Sequence, residues 1–167
     1  ASEGYIHVNT KSGLVILDPE LNITDLSFGD AGKYGRPVID SADMVYVFNA
    51  DRTIVYSLNR ETGIEWNRTI NGGACGVMAV DVENNALYIV GNDGILYKLN
   101  RGNGEITEFY NLGTNASSIL VDGRGTIYLG CADGVLYAVT NEGKLLFKYT
   151  IGDVISKDMV LDNNGTL

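Results

Sequence analysis

The chain has 167 residues, a formal net charge of −9 at pH 7, 45% hydrophobic residues and 20% charged residues. This balance is typical of a folded globular protein, and the acidic charge disfavours a nucleic-acid groove or docking on anionic lipid. No apolar run approaches the roughly 20 residues that a membrane-spanning helix needs, so we expect neither nucleic-acid binding nor membrane insertion.

In chain order, four segments with alternating apolar residues predict pairs of strands. They read YIHVNTKSGLVILD (5–18), VYVFNADRTIVYSLN (45–59), LYIVGNDGILYKLN (87–100) and IYLGCADGVLYAVT (127–140). The Asp-Gly pairs in the last two predict tight hairpins, because such turns need residues with positive φ. Tyrosines recur in two columns, at Tyr46, Tyr88 and Tyr128 and at Tyr56, Tyr97 and Tyr137. The first segment places Ile6 and Val15 in those columns.

A second pattern, an apolar run ending in aspartate, recurs with the same period. The runs PVID, MAVD, ILVD and MVLD end at Asp40, Asp81, Asp122 and Asp162. We interpret the aspartates as turn-initiating residues that bond their own backbone. The runs predict the innermost strand of each repeat, at 36–39, 77–80, 118–121 and 158–161.

The two patterns define an internal repeat, because the first tyrosine column recurs after 42 and then 40 residues. Each unit of about 41 residues holds four strand signals and no helical period. Four antiparallel strands in a unit of this length form the blade of a β-propeller. We therefore predict an all-β propeller of four blade repeats, at about 4–44, 45–86, 87–126 and 127–167. These repeats form a single domain or part of one.

Three segments resemble the quinoprotein-type repeat, which reads roughly G-x-L-Y-A-L-D-x-x-T-G-K-x-x-W. They are TIVYSLNRETGIEW (53–66), GILYKLNRGNGEITEF (94–109) and GVLYAVTNEGKLLF (134–147). The resemblance implies a propeller with aromatic packing near Trp66, Phe109 and Phe147. The family includes dehydrogenases that hold pyrroloquinoline quinone and calcium, and envelope assembly factors that bind other proteins. The chain is more similar to the non-enzymatic members.

Catalytic chemistry has little support in the sequence. A calcium site needs several convergent oxygen ligands, and the acidic loop pattern D-x-D-x-D-G is absent. Cys75 and Cys131 are far apart in sequence and predict small buried strand residues, and His7 is a lone strand histidine. We expect no catalytic residue, no cofactor and no metal.

Binding is the better-supported function. In a propeller the loops that lead into the innermost strands lie on one rim, and loops of this kind carry function. The residues at these positions vary in chemistry while the strand columns stay constant. The predicted contact residues are Tyr34, Arg36, Ser118, Lys157 and Asp158.

A protein or peptide is the expected partner of this scaffolding module. One alternative is a glycan-binding propeller that uses Trp66 and surface tyrosines. Another is a fragment of a dehydrogenase dependent on pyrroloquinoline quinone and calcium. Four N-glycosylation sequons, at Asn22, Asn67, Asn115 and Asn164, are compatible with a secreted, periplasmic or cell-surface protein.

The repeat also predicts how the propeller closes. The chain opens with a second-strand signal and ends after an innermost-strand signal, so one innermost strand is spare. We expect residues 158–162 to pair with a strand equivalent to residues 4–8. A second copy, as a homodimer, or a longer parent chain supplies that strand. A self-closed ring of four blades is disfavoured, because so few blades must splay sharply.

Overall fold

The fold, seen in a computed structural model, is all-β, as predicted. The structure describes residues 4, 6–10, 13–24, 36–59, 61–156 and 158–162, and these contain four antiparallel sheets and no helix. No helix within this part of the chain is long and apolar enough to cross a membrane. The sheets are blades of the β-propeller class.

Fifteen strands are present in the described residues. Sheet 1 contains β1 (Ile6–Thr10), β2 (Gly13–Leu17) and β3 (Ile23–Thr24). Sheet 2 contains β4 (Val38–Ile39), β5 (Val45–Phe48), β6 (Ile54–Asn59) and β7 (Gly63–Thr69). Sheet 3 contains β8 (Ala74–Asp81), β9 (Ala86–Gly91), β10 (Ile95–Asn100) and β11 (Ile106–Asn111). Sheet 4 contains β12 (Ala116–Val121), β13 (Ile127–Cys131), β14 (Val135–Val139) and β15 (Leu145–Thr150).

The innermost strand opens each of sheets 2, 3 and 4. The run that ends in aspartate pairs with the hairpin that follows it, as β12 pairs with β13. Sheet 1 has three strands and begins with β1, which is the counterpart of β5, β9 and β13. Within the described residues, sheet 1 therefore has no innermost strand, and β1 is its edge.

The strand predicted at 158–161 does not form in the single chain. Residues 158–162 are irregular, and Val160 is 80% exposed. A strand needs a neighbouring edge, and β13 is already paired with β12 on one side and with β14 on the other. This prediction is wrong for the chain by itself.

The chain divides into two compact units, Ala1–Gly73 and Ala74–Leu167. In the first unit, Leu14 and Ile16 of sheet 1 are buried against Val45, Val47 and Leu58 of sheet 2. In the second unit, apolar residues of sheets 3 and 4 form one buried cluster. Its members include Tyr88, Val90, Leu96, Ile127, Leu129, Cys131 and Val139.

The register of sheet 1 changes which residue of the first repeat belongs to the first tyrosine column. His7 pairs with Ile16, as Tyr128 pairs with Ala138, so His7 and not Ile6 occupies this column. The sequence alignment was out by one residue because the β1–β2 loop is one residue shorter than the β13–β14 loop. Val15 pairs with Val8 and keeps its predicted place in the second column.

Candidate binding surface

An aspartate caps the loop after the innermost strand, as the sequence predicted. Asp122 Oδ1 accepts the backbone N–H groups of Arg124 (2.9 Å) and Thr126 (2.8 Å), and Oδ2 accepts the Tyr128 hydroxyl (3.3 Å). Burial alone would raise the pKa of the Asp122 carboxyl, but these donors outweigh burial and hold the pKa below its ordinary value. Asp40 makes the corresponding bonds to Ala42 (2.8 Å), Met44 (3.1 Å) and Tyr46 (3.1 Å).

Sheet 3 departs from this pattern because its loop is one residue longer. Tyr88 follows Asp81 by seven positions, whereas Tyr128 follows Asp122 by six. The Asp81 carboxylate instead accepts the backbone N–H (3.0 Å) and the side-chain amide (2.8 Å) of Asn84. The Tyr88 hydroxyl is buried with no hydrogen-bond partner among the described residues. Burial and the nearby Asp81 raise the pKa of Tyr88 to about 12.

A second Asp–Tyr pair closes the turn between the two middle strands. The Tyr97 hydroxyl donates to Asp93 Oδ2 (2.6 Å), and Asp93 Oδ1 accepts the N–H of Ile95 (3.0 Å). The hydrogen bond to Asp93, with burial, raises the pKa of Tyr97 to about 12. In sheet 4, Asp133 makes the same contacts to Tyr137 (3.2 Å) and to the N–H of Val135 (3.0 Å).

These turns form one rim of the second unit together with the segments that follow β11 and β15. Leu112 N–H donates to Gly94 O (2.9 Å), and Ile151 N–H donates to Gly134 O (2.9 Å). We call residues 91–94, 112–115, 131–134 and 151–154 the linker rim. Exposed side chains on it belong to Asn92, Asp93, Asn115, Ala132, Asp133, Ile151, Asp153 and Val154.

The innermost strands are irregular where they leave the linker rim. Register shifts interrupt β8 between Ala74 and Met78, and β12 between Ala116 and Ser118. Cys75 Sγ contacts Gly91 O (3.3 Å), and Ser117 Oγ donates to Gly130 O (3.0 Å), so each bulge directs a side chain to a carbonyl of the next strand. Bulges of this kind re-aim backbone and side chains at sheet ends and functional sites.

The structure places the predicted contact residues in different environments. Tyr34 and Lys157 lie outside the described residues. Arg36 is exposed just before β4 in the first unit, and Asp158 is exposed after the linker rim in the second. Ser118 is only 3% exposed, because it faces Gly130 and not solvent. Its side chain is therefore not available at the surface of the single chain.

An aromatic pair joins the second and fourth strands of three sheets. The ring centroids are 6.1 Å apart for Tyr46–Trp66, 5.5 Å for Tyr88–Phe109 and 6.5 Å for Tyr128–Phe147. Trp66 is 7% exposed. It is therefore not the open platform that a glycan-binding propeller would need.

The cysteines and the histidine lie on strands, as expected. Cys131 is buried, and burial raises the pKa of its thiol to about 12, with contributions from Asp133 and Cys75. Cys75 is half-buried on β8, and His7 is half-buried on β1. Among the described residues, no group of three or more His, Cys, Asp or Glu side chains is placed to hold a metal ion.

Solved structures with the same fold are numerous, and all those compared below are distant in sequence. BamB from Moraxella catarrhalis superposes with a TM-score of 0.71 at 16% identity, covering 94% of this chain and 49% of that one. BBS1N in complex with ARL6DN gives 0.68 at 19% identity, covering 89% and 50%. Virginiamycin B lyase from Staphylococcus aureus gives 0.65 at 11% identity, covering 83% and 48%.

These similarities establish the β-propeller fold and nothing finer. The chain spans about half the length of the solved structures that it matches. No protein-family model matches the sequence. No curated protein is similar to it at a significant level.

Proposed function

We propose that the chain is a non-enzymatic propeller module that binds a protein or peptide partner on its linker rim. The observation that carries the proposal is that the loops of this rim are ordered by backbone hydrogen bonds and carry exposed side chains. Backbone hydrogen bonds such as Leu112 N–H to Gly94 O hold its loops in place, while most of the side chains on it are exposed. Loops positioned by a rigid scaffold are where binding residues concentrate.

The side chains at equivalent rim positions also differ in chemistry. Asn92 of sheet 3 corresponds to Ala132 of sheet 4, whereas the flanking Asp93 and Asp133 are the same. The constant aspartates are used within the turns, where they accept hydrogen bonds from the tyrosines. Ala132 is exposed beside the engaged Asp133. We keep Tyr34 and Arg36 in the first unit, and Lys157 and Asp158 in the second, as proposed contact residues of their own units.

A catalytic role has less support, because the recurring carboxylates are already engaged. Asp40 and Asp122 each accept two backbone N–H groups and a tyrosine hydroxyl. Side chains committed in this way are poorly placed to act on a substrate. The quinoprotein-type resemblance is therefore read as one of fold, without the quinone or calcium of the family's dehydrogenases.

The experiment is site-specific photo-crosslinking in the cells that produce the protein. A photoreactive phenylalanine analogue replaces Ala132 on the linker rim, and in a matched variant it replaces Glu142, which is exposed on the other hairpin turn of sheet 4. We expect one defined protein adduct from position 132 and none from position 142. Equal adducts from both positions, or none from position 132, would contradict a partner site on this rim.

We further propose a location outside the cytoplasm, at the cell envelope or beyond. The sequon asparagines Asn22, Asn67 and Asn115 are all exposed, as acceptors of N-linked glycan must be. Fractionation of the producing cells tests the location directly. Recovery of the protein in the cytoplasmic fraction alone would rule it out.

A further inference from the structure

The two cysteines of the chain lie at one place in the second unit, the junction between sheets 3 and 4. Cys131, the last residue of β13, is buried in one cluster with Tyr88 and Val90 of β9, so its side chain faces sheet 3. Cys75 of β8 packs against the same cluster from the sheet 3 side. The sequence contains no other cysteine. Each of the two sheets therefore supplies one thiol to the junction between them.

The two thiols also lie at the same level of the sheets. Cys75 follows Ala74, which pairs with Gly91 at the end of β9. Gly91 is the counterpart of Cys131, because each residue ends the second strand of its sheet. Both cysteines are therefore at the end of the sheets that carries the linker rim. Cys75 is also close enough to Cys131 to contribute to the raised pKa of its thiol.

The two thiols differ in their access to solvent. Cys131 is fully buried, whereas Cys75 is half-buried. Cys75 lies in the bulge of β8, where the regular ladder is interrupted between Ala74 and Met78 and where Gly76 has a φ of 91°. A disulfide requires a narrow range of distances between its two Cα atoms, and a bulged strand can adjust to that range more readily than a fully paired one. A small oxidant thus reaches Cys75 first, and Cys131 is placed to react next.

The repeat does not require cysteine at either position. Ser117 of β12 has the place of Cys75, since each is the second residue of its innermost strand, and Gly91 of β9 has the place of Cys131. Serine and glycine are therefore compatible with the packing of these positions in a neighbouring repeat. In sheets 3 and 4, cysteine occurs only at the two positions that meet in this junction. The pairing points to a chemical use of the two thiols and not to packing alone.

We propose that Cys75 and Cys131 form a reversible disulfide that joins sheet 3 to sheet 4 beneath the linker rim. The turn 131–134 of this rim begins at Cys131, so the bond fixes one end of that turn. Disulfides persist in oxidising surroundings outside the cytoplasm. The presence of the bond in the producing cells therefore rests on the proposed location, whereas its formation in the purified protein does not.

The bond forms by two exchanges with a low-molecular-weight disulfide such as glutathione disulfide. The Cys75 thiolate attacks one sulfur of glutathione disulfide, whose S–S bond breaks, and one glutathione leaves as a thiolate that takes up a proton. The Cys131 thiol then releases its proton and attacks the Cys75 sulfur of the mixed disulfide, and the second glutathione leaves in the same way. Two electrons and two protons pass from the protein thiols to glutathione disulfide, which is reduced to two glutathione molecules.

The first test is equilibration of the folded, purified chain with mixtures of glutathione and glutathione disulfide. Mass spectrometry under non-reducing conditions then examines the intact protein and its peptides. We expect a protein that is lighter by two hydrogen atoms, with one cross-linked peptide pair that contains both cysteines. Dithiothreitol should restore both thiols. A protein that keeps both thiols at every mixture, or that forms disulfides only between two chains, overturns the proposal.

Single variants test the different roles of the two thiols. Cys131→Ser removes the second thiol, so glutathione should remain attached to Cys75 as a mixed disulfide. Cys75→Ser leaves only the buried thiol, which should stay unmodified while the chain is folded. An unchanged far-ultraviolet spectrum shows that each variant is folded, and the first test on the unmodified chain needs neither variant. Equal glutathione adducts on the two variants, or no adduct on Cys131→Ser, contradict the proposed order of reaction.

The disulfide should also stabilise the second unit, because it closes the chain between residues 75 and 131. We expect the oxidised chain to unfold at a Tm about 5–15 °C above that of the reduced chain. Cys75→Ser is the control, and its Tm should be the same in both glutathione mixtures. An equal Tm for the oxidised and reduced unmodified chain would overturn the assignment of the bond to this junction. These outcomes leave partner binding at the linker rim to the crosslinking experiment at position 132.

Discussion

The tyrosine of the second strand occupies one place in three sheets but has two chemical environments. Tyr46 and Tyr128 donate their hydroxyls to the aspartate of the innermost strand. Tyr88 also packs on an aromatic ring of the fourth strand, Phe109, yet its hydroxyl has no partner among the described residues, because the longer loop turns Asp81 towards Asn84. The one extra residue in the loop of sheet 3 thus accounts for the missing hydrogen bond of the Tyr88 hydroxyl.

Removing these hydroxyls should therefore change stability in opposite directions. Tyr46→Phe leaves the buried Asp40 carboxylate without one donor and should cost about 1–2 kcal/mol. Tyr88→Phe removes an unsatisfied buried group and should be neutral or stabilising by up to about 1 kcal/mol. Urea unfolding of the two variants beside the unmodified chain gives both values. A loss of stability in Tyr88→Phe as large as that in Tyr46→Phe would refute the assignment.

The first repeat shows why residue-level alignment was less reliable than recognition of the fold. The tyrosine columns and the aspartate runs predicted the four sheets, because each column recurs with a period of about 41 residues and needs no exact register. The position of His7 required the length of the β1–β2 loop, which the alignment did not include. A one-residue error in the alignment assigns a strand residue to the opposite face of its sheet. For this reason Ile6 was placed in the tyrosine column that His7 occupies.

At the scale of single strands and turns, the hairpins were predictable and the bulges were not. Asp-Gly turns and alternating apolar residues have local signals, and β9–β10 and β13–β14 lie where those signals placed them. The bulges in β8 and β12 depend on how a linker meets the next strand, which no local pattern encodes. For this reason Ser118 was predicted as a contact residue although it is buried.

The glycine of the β9–β10 turn gives a direct measure of how tightly turn and linker pack. Gly94 has a φ of +77°, and a Cβ there would lie 2.7 Å from the backbone nitrogen of Thr114. Gly113, in the same unit, has a φ of +71° and no neighbour nearer than 4.0 Å. Gly113→Ala should cost about 1–2 kcal/mol, from the left-handed backbone alone.

Gly94→Ala adds an overlap with backbone and should cost about 1–3 kcal/mol more than Gly113→Ala. Both are measured by urea unfolding of the full chain. Equal losses of unfolding free energy in the two variants would show that the segment after β11 moves away from the turn at little cost. The linker rim would then be less rigid than its hydrogen bonds indicate.

The aspartate cap of sheet 4 should make stability depend on acid pH. The folded pKa of Asp122 is held below its ordinary value of 3.8, so its contribution is present above that value and is lost as pH falls through the folded pKa. Asp122→Asn keeps an acceptor but cannot titrate. Between pH 5 and pH 2 it should lose less stability than the unmodified chain, as followed by thermal unfolding. Exposed Glu83→Gln is the control and should retain the full acid dependence.

At the scale of the whole molecule, the chain contains two units and spans about half the length of the solved structures that it matches. Each unit contains two sheets with a buried core of their own. The solved propellers that resemble the chain are about twice as long. The apolar run at 158–161 predicted an innermost strand but not its irregular state, because a β-strand also depends on an available neighbouring strand, which a local pattern does not encode.

The response to calcium separates the proposed binding scaffold from the alternative, a fragment of a calcium-dependent dehydrogenase. A calcium site needs six to eight oxygen ligands converging on one point. The carboxylates of Asp40, Asp93 and Asp122 each accept at least one backbone N–H group and a tyrosine hydroxyl, so recruiting them as calcium ligands would break those turns. A ligand that binds the native state and not the unfolded state stabilises the protein by RT ln(1 + [L]/Kd) and so raises Tm. We therefore expect the same Tm after chelation and after calcium is restored, by calorimetry on the full chain. A drop of Tm on chelation that calcium reverses would favour the dehydrogenase alternative, and magnesium serves as the control for a nonspecific effect of divalent ions on this acidic protein.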